Sequence, residues 1–291
     1  MRLSARAPAK LNLTLEVLGK RADGYHEIRS IVQPVSLFDE LQVEPDDDVV
    51  LSAPGLDIPL ERNLAYQAAL ALQRSYGVQR GALLQLTKVI PVGSGLGGGS
   101  SDAAAALRLL SRLWDIRPQP QALMALASSL GSDVPLFLAS GAVSLRGRGE
   151  LVEPLTSTIV HSLVVIWPQW TSPDKTRAVY QGLGENRRSD GAATRRLAQV
   201  LKRRGFPGPD LLKNDLLPSA EVVFPGLAPL REELAGRAGR PFFLSGAGPA
   251  LFSLATSAAD ARQCAEAASG LGHPTFVTKP LRRRPAVVEL A

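Results

Sequence analysis

Apolar and polar positions change rhythm several times along the chain, and each change predicts an element. The opening segment alternates, so Leu3–Ala7, Leu11–Leu18, His26–Leu37 and Asp39–Glu44 read as strands. The rhythm then lengthens to that of a helix. Leu64, Ala68, Ala71, Leu72 and Tyr76 share one face, with Asn63 as the cap before them and Gly77 as the stop. Leu84 and Leu86 alternate with Gln85 and Thr87, a strand that feeds a glycine-rich segment. Behind it, Ala103, Ala106, Leu107, Leu110 and Trp114 give a second helical face, with Ser and Asp residues read as its caps. A third helix is expected over Gln119–Leu130 and a strand over Ala142–Leu145. Apolar periodicity lapses near Glu150–Ser157.

The second half opens on an apolar strand, Leu163–Trp167, ended by Pro168. Helical segments follow, with a polar linker around Glu185–Gly191. Phe242–Ser245 and Ala250–Leu254 read as strands joined by Gly246-Ala247-Gly248-Pro249. Ser257–Ala268 reads as a helix and Thr275–Thr278 as a last strand. The mixture of types predicts an α+β chain. The lapse near Glu150–Ser157 suggests a division into residues 1–153 and residues 154–291.

The segment Pro91-Val92-Gly93-Ser94-Gly95-Leu96-Gly97-Gly98-Gly99-Ser100-Ser101 lies between strand and helix. Glycines allow positive φ and close approach to a ligand, and a helix start offers free N–H groups. Together they predict an anion site, most often for phosphate. A flexible linker would not pass at once into helix signals. The P-loop pattern requires a lysine that this segment lacks. Gly93, Gly95 and Gly98 match a dinucleotide fingerprint, with Asp115 near the acidic position. The turn Asp115–Pro120 and a further helix follow, however, where that fold needs a second parallel strand. Ser100 and Ser101 could touch phosphate or a magnesium ion, cap the helix, or do both.

Composition narrows the field. The 291 residues are 45% hydrophobic, enough for one large core or two smaller ones. Cys264 is the one cysteine, which excludes an internal disulfide and reads as a small buried thiol. No secretory segment and no membrane-spanning run is evident, so a soluble cytoplasmic protein is expected. The net charge of +6 comes largely from Arg187-Arg188, Arg195-Arg196, Lys202-Arg203-Arg204 and Arg282-Arg283-Arg284. Such clusters read either as nucleic-acid patches or as solvated surface. No aromatic residues interleave with them, which favours surface and predicts no nucleic-acid partner.

Three segments together resemble the galactokinase–homoserine kinase–mevalonate kinase–phosphomevalonate kinase (GHMP) superfamily. They are Ala7-Pro8-Ala9-Lys10-Leu11-Asn12-Leu13, the glycine segment, and Leu244-Ser245-Gly246-Ala247-Gly248-Pro249-Ala250. Gly19-Lys20-Arg21-Ala22-Asp23-Gly24-Tyr25-His26-Glu27-Ile28 and Gly131-Ser132-Asp133-Val134-Pro135-Leu136-Phe137 resemble one branch of it. That branch phosphorylates the 2-hydroxyl of a cytidine diphosphate-linked methylerythritol in the non-mevalonate isoprenoid pathway. The resemblance implies a ribosomal-protein-S5-like first half, a ferredoxin-like second half, and a site in the cleft between them. It implies ATP with Mg2+ as cofactors, a small-molecule acceptor, no membrane partner, and a monomer or homodimer.

It also assigns roles. Asp133 becomes the general base, although on sequence alone it reads as a helix cap. Lys10, flanked by apolar residues, needs an acidic partner if buried, and the resemblance makes that partner Asp133. The lysine would steady the carboxylate and the attacking oxygen. Tyr25 and His26, otherwise ordinary strand-edge residues, would recognise cytosine. Tyr180 would supply a second stacking ring, and Asn12 would bond the sugar-alcohol hydroxyls. Pro91–Ser101 would hold ATP. The Gly246–Pro249 segment would back the site, or be a hairpin turn and nothing more. Two other readings remain. One keeps the superfamily with another acceptor, such as homoserine or mevalonate. The other is a basic RNA-binding protein built on an S5-like fold.

Overall fold

The structure is a computed structural model that describes residues 1–156, 159, 161–184, 189–203 and 205–290. Two long antiparallel strands organise it. β1 (Arg2–Lys20, 19 residues) and β2 (His26–Asp46, 21 residues) pair along almost their whole length. The sequence reads each as two strands because Pro8 interrupts the first and Leu37–Phe38 the alternation of the second. The chain continues through both places, and the irregularity becomes a register shift between Pro8 and Ala9. Such bulges let a strand keep its direction while re-aiming side chains.

β3 (Val49–Ser52), α1 (Leu64–Tyr76), β4 (Gly81–Thr87), α2 (Gly98–Leu113) and α3 (Pro120–Leu130) complete the first lobe with β5 (Val143–Arg146) and β6 (Leu151–Pro154). Asn63 caps α1, its side chain accepting from the Ala65 N–H at 2.9 Å, and Gly77 ends it at φ 65°. The central sheet runs β12-β1-β2-β4-β3, with β5 on β2 and β6 on β5. β6 falls where apolar periodicity lapses, and its side chains are largely exposed.

The second lobe begins with β7 (Leu163–Ile166), α4 (Lys175–Gln181) and α5 (Ala192–Lys202). β8 (Lys213–Asn214), α6 (Leu217–Val223), α7 (Leu227–Ala238), β9 (Phe243–Leu244), β10 (Leu251–Leu254), α8 (Ala258–Ser269), β11 (Thr275–Thr278) and β12 (Val287–Leu290) follow. Its sheet has the antiparallel order β11-β7-β10-β9. β8 and β12 return to β1 in the first sheet. Cys264 is buried in the second lobe's core.

β1 feeds three apolar clusters in turn. Leu3, Ala5 and Ala7 pack beneath the first lobe's helices. Ala9, Leu11 and Leu13 join Leu163, Val165 and Phe252 between the lobes. Leu15 and Val17 enter the second lobe's core. One strand thus ties the lobes together by apolar burial. The basic segment after β11, for which the sequence offered no role, is a strap across β2. Ser36 N–H donates to Lys279 O at 2.8 Å, and Leu281 N–H to Pro34 O at 2.9 Å. The Arg284 guanidinium donates to the Leu138 carbonyl. Arg195, Arg196, Lys202, Arg203, Arg282 and Arg283 are exposed, whereas Arg187, Arg188 and Arg204 lie outside the described residues, as does most of the expected linker. Among the described residues no helix is long and apolar enough to cross a membrane.

Candidate active site

The glycine loop leaves β4 through a charged anchor. Asp39, fully buried on β2, accepts from the Val89 and Ile90 N–H groups at 2.6 and 2.8 Å and from Lys88. Lys88 also donates to Asp102 on α2 at 2.6 Å. Burial opposes the charge on Lys88, but the two carboxylates outweigh it and hold its pKa above the usual lysine value. Burial raises Asp102 to about 7, against the pull of Lys88. Within the loop, Ser94 Oγ donates to Pro91 O at 2.6 Å, and Ser94 O accepts from Ala250 N–H at 2.9 Å. The Lys10 N–H donates to Leu96 O at 2.9 Å, so β1 and the loop are fixed to each other.

Gly93, Gly95 and Gly97 adopt φ of 67°, 89° and 76°. Gly97 precedes α2 as its N-cap residue, without a side-chain cap. Ser100 and Ser101 therefore lie inside the first turn and Asp102 just beyond it, and none of them is the cap, contrary to the sequence expectation. Among the described residues the buried Ser101 Oγ has no hydrogen-bond partner. A Cβ on Gly97 would stand 3.0 Å from Lys10 Cγ and 3.1 Å from Phe137 Cζ. Gly98 needs space rather than positive φ, since its Cβ would lie 3.1 Å from Lys88 Nζ. Gly97→Val should therefore weaken ATP binding. Backbone strain of about 1–3 kcal/mol corresponds to about 5- to 150-fold in Kd. Nucleotide titration of the folded variant checks this, and an unchanged Kd would detach the loop from the phosphates.

Lys10 and Asn12 project from β1 into the cleft. Lys10 Nζ donates to Asn12 Oδ1 at 2.5 Å and lies 3.7 Å from Asp133 Oδ2. Asn12 Nδ2 donates in turn to Ser30 Oγ at 2.9 Å. The Lys10 side chain is 5% exposed and that of Asp133 40%, so the carboxylate opens to the cavity and the lysine lies behind it. Burial lowers the Lys10 pKa, and the Asp133 charge opposes the shift. Asp133 follows Gly131 and Ser132 at the end of α3 and precedes a buried 3-10 turn, Pro135–Leu138. The third glycine motif sits against this pair. Ser245 Oγ donates to Gly95 O at 3.2 Å, and a Cβ on Gly246 would stand 3.1 Å from Lys10 Nζ.

At the far end, the His26 and Tyr180 rings stack, with centroids 5.2 Å apart and planes at 29°. Tyr25 is half exposed, and the Arg148 guanidinium lies 4.8 Å from its ring centroid. Burial, then the Lys20 charge, lowers the His26 pKa, so the ring is neutral at neutral pH. Burial raises the Tyr180 phenol.

One cavity of about 1350 Å³ joins these parts. Lys10, Asn12, Tyr25, His26, Asp133 and Tyr180 line it, as do Pro91–Gly95 and Gly97–Ser100. Leu96 and Ser101 do not: Leu96 is buried in the apolar cluster between the lobes, and Ser101 lies beneath the loop. Sequence reasoning missed Lys88 and Asp102, whose signal was charge at the two ends of the glycine loop, and Asp39, which only the fold brings to them from β2. It also missed Arg148 and Lys175, which only the fold brings to the cavity.

This two-lobed arrangement has counterparts among known proteins. Residues 63–141 match the GHMP kinases N terminal domain, and residues 188–273 match the GHMP kinases C terminal domain. The chain belongs to the GHMP kinases and is an ATP-dependent small-molecule kinase. Within that class it belongs with the 4-diphosphocytidyl-2-C-methyl-D-erythritol kinases. It is 37% identical over 289 residues to the one from Pelotomaculum thermopropionicum, a match covering 98% of this chain and 100% of the relative. The identity to the Anaeromyxobacter sp. kinase is 39% over 305 residues, covering 99% and 93%. A crystal structure of 4-(cytidine 5'-diphospho)-2C-methyl-D-erythritol kinase aligns at TM-score 0.81 and 35% identity, over 96% of this chain and 99% of that one. Homoserine kinase from Cytophaga hutchinsonii shares the fold, at TM-score 0.77 and 19% identity over 99% and 97%.

Proposed function

We propose that this chain transfers the γ-phosphoryl group of ATP to the 2-hydroxyl of 4-diphosphocytidyl-2-C-methyl-D-erythritol. The observation that carries the reading is the Lys10–Asp133 pair, in one cavity with the glycine loop and the His26–Tyr180 ring pair. Asp133 accepts the hydroxyl proton as the oxygen attacks phosphorus. Lys10, held by Asn12, steadies charge on that oxygen and on the group in transfer. The Asn12 amide holds Lys10 and Ser30, and its remaining donor and lone pair are left for the sugar-alcohol hydroxyls. Residues 1–153 carry the loop and the base, and residues 154–291 add Tyr180 and the third motif.

The glycine loop and the start of α2 receive the phosphates. Magnesium suits this end of the cavity: Ser100 and Asp102 line it, Ser101 lies beneath, and among the described residues Ser101 Oγ and Asp102 Oδ1 have no hydrogen-bond partner. When bound with ATP, the ion neutralises phosphate charge. The remaining residues orient the acceptor. Neutral His26 offers one donor and one acceptor to the cytosine edge, and the rings of Tyr25 and Tyr180 supply stacking faces.

Tyr180→Ala and His26→Ala should raise KM for the cytidyl substrate and leave the ATP KM unchanged. A lost stacking face contributes about 1–3 kcal/mol, or about 5- to 150-fold in affinity. Tyr25→Ala should act in the same direction. A uracil analogue should also bind worse, because the exocyclic donor becomes an acceptor. Steady-state kinetics with both substrates varied decides the point. Equal use of the two bases, or an effect confined to ATP, contradicts the cytidine assignment.

A further inference from the structure

The cleft holds a half-buried lysine that the mechanism above does not use. Lys175 opens α4 in the second lobe, and its Nζ donates to the Gly248 carbonyl in the turn between β9 and β10. Among the described residues it forms no ion pair, so a neutral carbonyl is the partner of a half-buried cation. That turn presses on the glycine loop: a Cβ on Gly95 would stand 3.0 Å from Gly248 O and 2.4 Å from Ser245 O. The same turn flanks Lys10, which lies 3.7 Å from Asp133. Two lysines from different elements, Lys10 and Lys175, therefore reach one turn in one cavity, and Asp133 pairs with Lys10. Removing a cation from water without a counter-ion is costly. The cost is offset once an anion arrives.

We propose that Lys175 is a ligand of the transferring phosphoryl group, a second cation acting beside Lys10. The proposal rests on the kinase reading of this cavity. In the transfer, the bond from γ-phosphorus to the bridging oxygen of ADP breaks and the bond to the acceptor oxygen forms. The acceptor proton goes to Asp133. Lys175 gives up no proton and contributes charge alone, at equatorial oxygens whose negative charge it balances. Burial, and then the Lys10 charge, lowers the pKa of Lys175 to about 7. An arriving phosphate favours the charged form, so nucleotide binding should draw a proton onto this lysine.

Two variants of the full-length chain test this. Lys175→Met keeps the stem and removes the charge, and Lys175→Arg keeps the charge. Losing one preorganised donor to a developing anion costs about 10²–10³ in kcat, so Lys175→Met should fall by that factor and Lys175→Arg should recover most of it. Thermal melting of both variants shows whether they are folded. A second readout needs no acceptor: calorimetric binding of magnesium and a non-hydrolysable ATP analogue at about pH 8, in buffers of different ionisation heat. Wild type should take up protons and both variants should not. Lys10 and Asp133 are unchanged across the series, so the difference isolates Lys175. A Lys175→Met turnover within about threefold of wild type, or proton uptake equal in wild type and variants, overturns the proposal. If the cytidyl acceptor is not phosphorylated by wild type but proton uptake behaves as stated, the substrate assignment fails and the role of Lys175 stands.

Discussion

Replacing Asp133 with asparagine should reduce kcat by about 10²–10⁴, the usual contribution of a positioned general base, while the ATP Kd stays near wild type. Asparagine keeps the shape of the side chain but cannot accept the hydroxyl proton. Asp133 is partly exposed to the cavity and, among the described residues, its one ion pair, to Lys10, spans 3.7 Å, so the fold does not depend on it. The nucleotide loop is held separately, by Asp39, Ser94 and the Lys10 backbone. The measurement is turnover and nucleotide titration of the purified variant, with melting as the check on folding. Retention of most activity would remove Asp133 from the role of base.

Lys88→Met should produce the largest loss of stability. It leaves the carboxylates of Asp39 and Asp102, 0% and 4% exposed, without their shared cation. Breaking a buried pair by removing one partner costs about 3–5 kcal/mol. The loss should shrink as pH falls, because protonation of Asp102, already raised to about 7, removes an unpaired charge. Denaturant unfolding of wild type and variant at two pH values checks both statements. A change below about 1 kcal/mol, the level of an exposed pair, would mean the triad is solvated rather than buried. ATP affinity should fall in parallel, since Lys88 holds the loop to the end of β4 through Asp39.

Much of this architecture is legible in the sequence, and the reasons differ by element. Asn63 and Gly77 bound α1 because capping is local chemistry, carried by a side-chain oxygen and a left-handed glycine. The strand–glycine loop–helix order is likewise local. The sequence divides β1 at Pro8, since a proline cannot donate to a ladder, and only the pairing with β2 shows a register shift absorbing it. β12 and the basic strap escaped because their partners, β1 and β2, lie at the other end of the chain. The site follows the same division. Lys10 and Asp133 were named through motif resemblance, and the fold brings them within 3.7 Å. The resemblance makes Asn12 a substrate ligand; it lines the cavity, and its amide oxygen also accepts from Lys10, a contact that spacing alone does not reveal. Lys175 carried no signal, since its place in the cavity depends on how α4 meets the turn after β9.

The central claim, phosphoryl transfer to a cytidyl-linked sugar alcohol, is tested most directly by ATP consumption with three acceptors offered separately. These are 4-diphosphocytidyl-2-C-methyl-D-erythritol, homoserine and mevalonate, with phosphorus NMR locating the new phosphate. ATP should be consumed stoichiometrically with the cytidyl acceptor alone, and the phosphate should appear on its 2-hydroxyl. Turnover of homoserine or mevalonate at a comparable rate, or a new phosphate elsewhere on the cytidyl substrate, would contradict the account.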